Sequence, residues 1–324
     1  MSKNSRGLSG KAVAPGILLV FLTVLFSGVS NFVNAQALGA NPAWNSDLFV
    51  TLRNVAVAAM LVPLVFLAGR TARAPLTRTD WLKLGAIGLI GGAIPFLLFF
   101  RGLQIAGAAG AATATFGYRA LFLMAAVLGV VFLKEHLTSR LALAAVLLLA
   151  GNALLISLTA PIWTDGTAYV LLATALWAGE YTLSKHALRN LPSGTVALGR
   201  MGFGGVFLFA YVALTGQLGG VAAIGGAQWG WIALSVVLLL GFVTTWYAGL
   251  KTVDVSVATA ALVLAFPITW ALGLLASKST LGLPQLAGVV AITLGVALAI
   301  GLASLRETWE AVRVWLRARI SRAE

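Results

Sequence analysis

Ten apolar stretches, each about 20 residues or longer, follow one another along this chain with only short links between them. They run over 13–38, 47–69, 79–102, 108–133, 139–159, 166–187, 194–216, 227–250, 254–277 and 283–303. A stretch of that length carries an α-helix across the hydrocarbon core of a bilayer. No water is available there to bond the backbone, so helices that satisfy their own peptide groups are the fold open to such a chain. Composition agrees: 60% of residues are hydrophobic and 10% are charged, against about 25% charged in soluble domains. The expected fold is an all-α integral membrane protein with ten transmembrane helices, and the lipid bilayer is its first partner.

The absence of cysteine removes disulfides, thiol catalysis and cysteine-based metal sites. The two histidines, His136 and His186, lie apart near predicted helix ends, so neither a metal nor another cofactor is expected. One competing reading concerns the first stretch, where Ala35-Gln36-Ala37 looks like a signal-peptide cleavage site. Against it, Thr23, Ser27 and Asn31, with Ser30 and Asn34, recur at helical spacing and form a polar face suited to lining a cavity.

A net charge of +13 would point to nucleic acid in a soluble protein. Here the lysines and arginines sit in the links, where they set topology, and no nucleic-acid partner is expected. Of 22 basic residues, 17 fall on one side of the membrane and only Arg101 and Lys278 on the other. Arg53, Arg119 and Arg200 lie inside spans. That asymmetry places both termini in the cytoplasm. Residues 1–12 form a cytoplasmic tail. From residue 304 to 324, Leu305, Trp309, Val312, Leu316 and Ile320 share one face, which predicts a basic amphipathic helix on the inner leaflet. A helix extending the last span into water is the alternative.

The chain also repeats itself. Asn31 aligns with Glu180, Phe32 with Tyr181, Gln36 with Lys185, Arg53 with Arg200 and Gly151 with Gly295. Two units result, 13–160 and 161–303, of five spans each. An odd number inserts the second unit upside down, an inverted-topology repeat of the kind secondary transporters use.

On SGVSNF in the first span, LWAGEY in the sixth, the doubled Arg53 and Arg200, FLKEHLT after the fourth span and AFPITWAL with Pro267 in the ninth, the sequence resembles the drug/metabolite transporter superfamily. The resemblance is to its EamA-type members and covers about 13–303. It implies a bundle in which helices 1, 3, 4, 6, 8 and 9 line a central cavity and helices 5 and 10 are peripheral. It also implies a bacterial inner-membrane location. The sequence departs from the pattern where Tyr118-Arg119-Ala120 replaces the proline in repeat one, and where Ser279 replaces in repeat two the glutamate that is Glu135 in repeat one.

Glu180 is the one carboxylate within a span, and at about 2.5–3.5 kcal/mol to insert an acid such a residue is seldom idle. It could bind a cation or couple a proton; a structural pairing with Arg200 or Lys185 is the competing role. Arg119 could clamp a carboxylate or phosphate, against pairing with Glu180 or backbone carbonyls. Arg53 and Arg200, being doubled, read as architectural. Tyr118, Asn31, Phe100, Trp177, Tyr181, Trp246 and Tyr247 complete the expected substrate site, with Phe99 beside them. Phe99-Phe100 and Trp246-Tyr247 occupy equivalent places in the two repeats.

The expected function is a secondary carrier that moves a small polar metabolite by alternating access. Three intramembrane arginines against one glutamate favour a carboxylate-bearing cargo such as an amino acid, with export as the direction the resemblance implies. Transport of a quaternary ammonium or other organic cation is the alternative. An enzyme is not expected, since no paired acids, HExxH or Ser/His constellation appears. Proton coupling, exchange and a homodimer stay open.

Overall fold

The computed structural model describes residues 10–39, 44–67, 69, 75–102, 105, 117–136, 138–156, 165–277, 282–301, 304–310 and 313. The stretch Gly107–Ala114, Thr115, Lys278, Ser279 and the tail beyond Arg313 lie outside them. A helix occupies each predicted segment: α1 (Gly10–Gly39), α2 (Ser46–Leu67), α3 (Arg78–Gly102), α4 (Leu121–Leu133), α5 (Ser139–Ile156), α6 (Asp165–Ala187), α7 (Ser193–Leu214), α8 (Gly226–Leu250), α9 (Val255–Ala276) and α10 (Leu283–Ile300). Among the described residues, seven of them (α1, α2, α3, α7, α8, α9 and α10) are long and apolar enough to cross a membrane, and α4 and α5 are shorter apolar helices. Helix α6 is 23 residues long but carries Glu180 among threonines, tyrosines and a serine. Of the tail, residues 304–310 are helical with Trp309 exposed, while Val312, Leu316 and Ile320 fall outside the described residues.

The helices neighbour one another in a pattern that respects the repeat. Helix α1 lies along α8 and α9, and α6 lies against α3 and α4. Helix α2 packs on α7, α4 on the first half of α9, and α5 on α10. Exchanging α1–α5 for α6–α10 maps each of these pairs onto another of the same set.

Small residues make the crossings close, as they do where lipid removes the hydrophobic drive between helices. Between α5 and α10, a Cβ on Gly288 would lie 2.6 Å from the Gly151 carbonyl oxygen. Between α3 and α7, one on Gly204 would lie 2.8 Å from Gly92 Cα. Gly204→Ala should therefore lower the thermal midpoint, since overpacking costs about 1–3 kcal/mol. Gly202→Ala, two residues away where a Cβ meets nothing within 4 Å, should not. Equal melting curves for the two variants would refute the close-crossing account.

Three local irregularities position the site. Helix α3 passes through a π-helical turn at Gly88–Ala93. Pro95, four residues after Gly91, has no N–H to offer the Gly91 carbonyl in an α-helical register. That carbonyl instead accepts from Trp177 Nε1 at 3.1 Å and Arg200 Nη2 at 3.0 Å. Helix α9 breaks at Val263-Leu264, which leaves Pro267 in the first turn of Ala265–Ser277, where a missing donor costs nothing. By contrast, α7 runs unbroken through Gly204-Gly205, and those glycines mark its crossing with α3.

The helix starts are capped in different ways. Thr77 and Asp80 form a capping box at the start of α3. At α2 it is Asn45, not Asp47, whose side chain accepts from the Asp47 and Leu48 N–H groups. Asp254 precedes α9 but makes no side-chain cap. Glu135, from the α4–α5 link, takes its place: it accepts from Val255 N (2.7 Å), Ser256 N (3.1 Å) and Ser256 Oγ (2.6 Å).

Candidate substrate cavity

A cavity of about 340 Å³ lies within the bundle, a volume in the range of small-molecule sites. Of the six helices expected at the cavity, α1, α3, α6, α8 and α9 contribute to its wall, Tyr118 and Arg119 line it from just before α4, and Arg53 of α2 and Arg200 of α7 join them. From α1 it takes Ser27, Ser30, Asn31, Asn34, Ala35 and Leu38, so it follows the C-terminal third of that helix, where Asn31 and Ala35 are exposed. The other half of α1 is packed shut: Val20 lies against Gly249, and Gly16 against the Thr252-Val253 turn.

Six of the expected site residues line the cavity: Arg119, Tyr118, Asn31, Trp177, Tyr181 and Phe100. Phe99 lines it as well. Glu180, Trp246 and Tyr247 do not, and all three are fully buried behind the wall. Phe242, one turn before Trp246 on α8, faces the cavity and stacks over the Trp246 ring at 6.2 Å, while Tyr181 covers it from α6 at 4.6 Å.

Glu180 is held on every side. Its Oε1 accepts from Ser184 Oγ, one turn on in α6, at 2.5 Å, and from Tyr247 OH at 2.7 Å. Its Oε2 faces Arg200 Nε at 3.5 Å. Gly91 leaves the room that this carboxylate occupies, because a Cβ there would run into the Glu180 side chain. Arg200 therefore ties α7 to α6 through Glu180 and to α3 through the Gly91 carbonyl. Lys185, the other candidate partner, is engaged elsewhere: its ammonium donates to the carbonyls of Leu250 (2.8 Å) and Val253 (2.7 Å) at the end of α8.

The other two intramembrane arginines have no carboxylate partner among the described residues. Arg119 donates from Nη1 to Asn152 Oδ1 at 2.7 Å and lies over the Phe266 ring. Asn152 is itself oriented by its own donation to the Leu148 carbonyl, which aims its oxygen at the guanidinium. Arg53 lies between the rings of Phe49 and Phe96, with centroids 5.7 and 5.2 Å from Cζ, and makes one long bond of 3.4 Å to Asn54 Oδ1. A buried arginine at mid-membrane costs about 2.5–3.5 kcal/mol on insertion scales. Stacking on rings offsets part of that, about 2 kcal/mol where water is excluded.

One wall of the cavity is aromatic. Phe96, Phe99 and Tyr118 each meet Trp177, at 5.3, 5.6 and 5.3 Å between centroids. A smaller pocket of about 50 Å³ shares Ser27, Asn31, Tyr118, Arg119 and Phe266 with the main cavity and reaches Asn152 and Thr259. Sequence reasoning missed Phe96, Phe242, Phe266 and Thr269, which are cavity-facing, and read Arg53 and Arg200, which line the cavity too, as architectural. The available signal was the charge count, since one glutamate cannot neutralise three arginines.

An all-helical chain of membrane-crossing helices around a polar, arginine-bearing cavity has the build of a membrane transporter. Comparison with known proteins is specific on this point. The model of the EamA-like transporter family matches residues 14–157 and again 165–301. The chain belongs to the EamA-like transporter family, and the two matches fall on the two predicted units. No curated protein gives a significant match. A solved structure described only as the crystal structure of a protein aligns with a TM-score of 0.70 over 89% of this chain and 97% of its own, at 19% identity. At that identity it shows the shared fold.

Proposed function

We propose that this protein is a secondary active transporter of small carboxylate-bearing metabolites, amino acids or related organic acids, working by alternating access. Its ten helices cross the membrane as two inverted five-helix units, with both termini in the cytoplasm of a bacterial cell. The helix neighbourhoods, which exchange under the repeat, support two equivalent units, the odd number of spans in each supports their inversion, and the one-sided placement of lysine and arginine supports the orientation.

One observation carries the choice of cargo. Three arginines line a single cavity, and the one carboxylate near them is turned away and spent on Arg200. The cavity thus presents uncompensated positive charge to whatever enters. The organic-cation reading has the aromatic wall in its favour, since rings attract ammonium groups. It lacks a reachable carboxylate, because Glu180 is fully buried, accepts two hydrogen bonds at Oε1 and is ion-paired to Arg200 through Oε2.

The test is a thermal-shift screen of the purified protein in detergent, against amino acids, organic acids, nucleobases and quaternary amines. A ligand at 100 times its dissociation constant stabilises by about 2.7 kcal/mol if it ignores the unfolded state. Carboxylates should shift the melt, and Arg119→Gln should reduce the shift. A shift by quaternary amines alone, erased by Glu180→Gln, would replace this reading with the cation carrier.

A further inference from the structure

We infer that the cargo carries two acidic groups joined by an apolar body, with one group held by Arg119 and the other by Arg53. This rests on the carboxylate-carrier reading above and narrows it.

The first ground is unmet bonding. Arg53 and Arg119 are 3% and 6% exposed. Even so, Arg53 Nη2 and Arg119 Nε are buried with no acceptor among the described residues. A guanidinium has five N–H donors in a rigid fork, and an anionic oxygen is the acceptor that suits them best. Among the described residues these two arginines have only neutral acceptors, Asn54 and Asn152, and aromatic faces. Those contacts fix where each fork points without using up its charge. Arg200 Nε also lacks a hydrogen bond, but its charge is answered by the Glu180 carboxylate at 3.5 Å and it donates from Nη2 to the Gly91 carbonyl. Two of the three positive charges in the wall are thus left for the cargo.

The second ground is placement. Arg53 comes from α2 and stands over Phe96. Phe96 meets Trp177 edge-on, and Trp177 meets Tyr118 edge-on, each at 5.3 Å between centroids. Tyr118 is the residue before Arg119. Arg119 itself lies over Phe266 and bonds Asn152, where the smaller pocket meets the main cavity, so the two guanidiniums stand on different neighbours within one cavity wall. A molecule in this cavity meets the Phe96, Trp177 and Tyr118 rings, one guanidinium beside Phe96 and another beside Phe266. A zwitterion fits less well, because its ammonium would face an arginine.

The experiment measures binding of matched probes to the full chain in detergent by calorimetry. Terephthalate and adipate are the diacids, benzoate and hexanoate the monoacids, and 4-carboxyphenyl phosphate tests whether a phosphate serves at one end. Diacids should bind at least tenfold more tightly than matched monoacids. Arg53→Gln and Arg119→Gln should each reduce the diacid to monoacid affinity, and Arg53→Lys should retain part of the gain. If Arg53→Gln does not fold, the comparison between Arg53→Lys and the native protein decides: equal diacid affinity, without the fork, overturns the clamp. Equal affinities for mono- and diacids, with Arg119→Gln abolishing both, would overturn this inference and leave the carboxylate carrier standing. Failure of every acid to bind would overturn the carboxylate carrier itself, and this inference with it. Tighter binding of the phosphate than of terephthalate would overturn the dicarboxylate form of the cargo and assign the second group to a phosphoryl.

Discussion

Glu180→Ala should cost this protein about 3–5 kcal/mol of stability, and Glu180→Ala combined with Arg200→Met should recover most of that loss. The carboxylate and the guanidinium are both buried, 3.5 Å apart, between helices of low polarity. Removing the acid leaves Arg200 with the Gly91 carbonyl and no counter-charge, and it strips Tyr247 OH and Ser184 Oγ of their acceptor. Removing both charges leaves only the two hydroxyls to be answered. Paired buried charges replaced together by apolar groups are often neutral in stability, whereas a broken pair is not. Thermal melts of the two variants, in one detergent and without ligand, make the comparison. A single variant as stable as the native protein would mean that Glu180 is free for another role, and the proton-coupling role would regain its place. Glu180→Gln keeps the hydrogen-bond shape without the charge, and should fall between the native protein and the alanine variant.

The positions of the helices were legible because membrane insertion demands a long apolar run, and each such run leaves its mark in the sequence whatever packs around it. The significance of Glu180 was legible for the same reason: a charge inside such a run is costly wherever it points. Its partner was not. Arg200 and Lys185 both stood as candidates, and only the crossing of α6, α7 and α8 assigns Arg200 to the carboxylate and Lys185 to the Leu250 and Val253 carbonyls. Which face of a helix meets the cavity was legible in α1, where Ser27, Asn31 and Asn34 mark a polar stripe. In α8 it was not, because the helix is apolar all round and pattern alone cannot tell Phe242 from Trp246. Equivalence in the repeat suggested that Trp246-Tyr247 would match Phe99-Phe100. The helix neighbours of the two repeats exchange, yet only the first pair lines the cavity and the second is fully buried.

Glu135→Ala should open the sealed end of the bundle. The cavity follows the C-terminal third of α1, and the opposite end is closed where the α8–α9 turn sits against Gly16. Glu135 reaches that turn from the other repeat and accepts two backbone N–H groups and a hydroxyl at the start of α9. Hydrogen bonds to a charged group contribute about 1.5–3 kcal/mol each, and an anion at a helix N-terminus gains further from the macrodipole. In a carrier that alternates, these bonds favour the state with this end shut, and each cycle must break them. The chain has no cysteine, so a single engineered thiol reports access without background. Val20→Cys places one at a site 2% exposed, against Gly249 beside the same turn. That thiol should resist a water-soluble maleimide in the otherwise native protein and react severalfold faster once Glu135→Ala is added. Glu135→Gln, which keeps one carbonyl acceptor, should give an intermediate rate. A lower melting temperature with the thiol still protected would reduce Glu135 to a helix cap. Faster labelling at a temperature well below the melt requires that the cap also holds the two repeats together at this end.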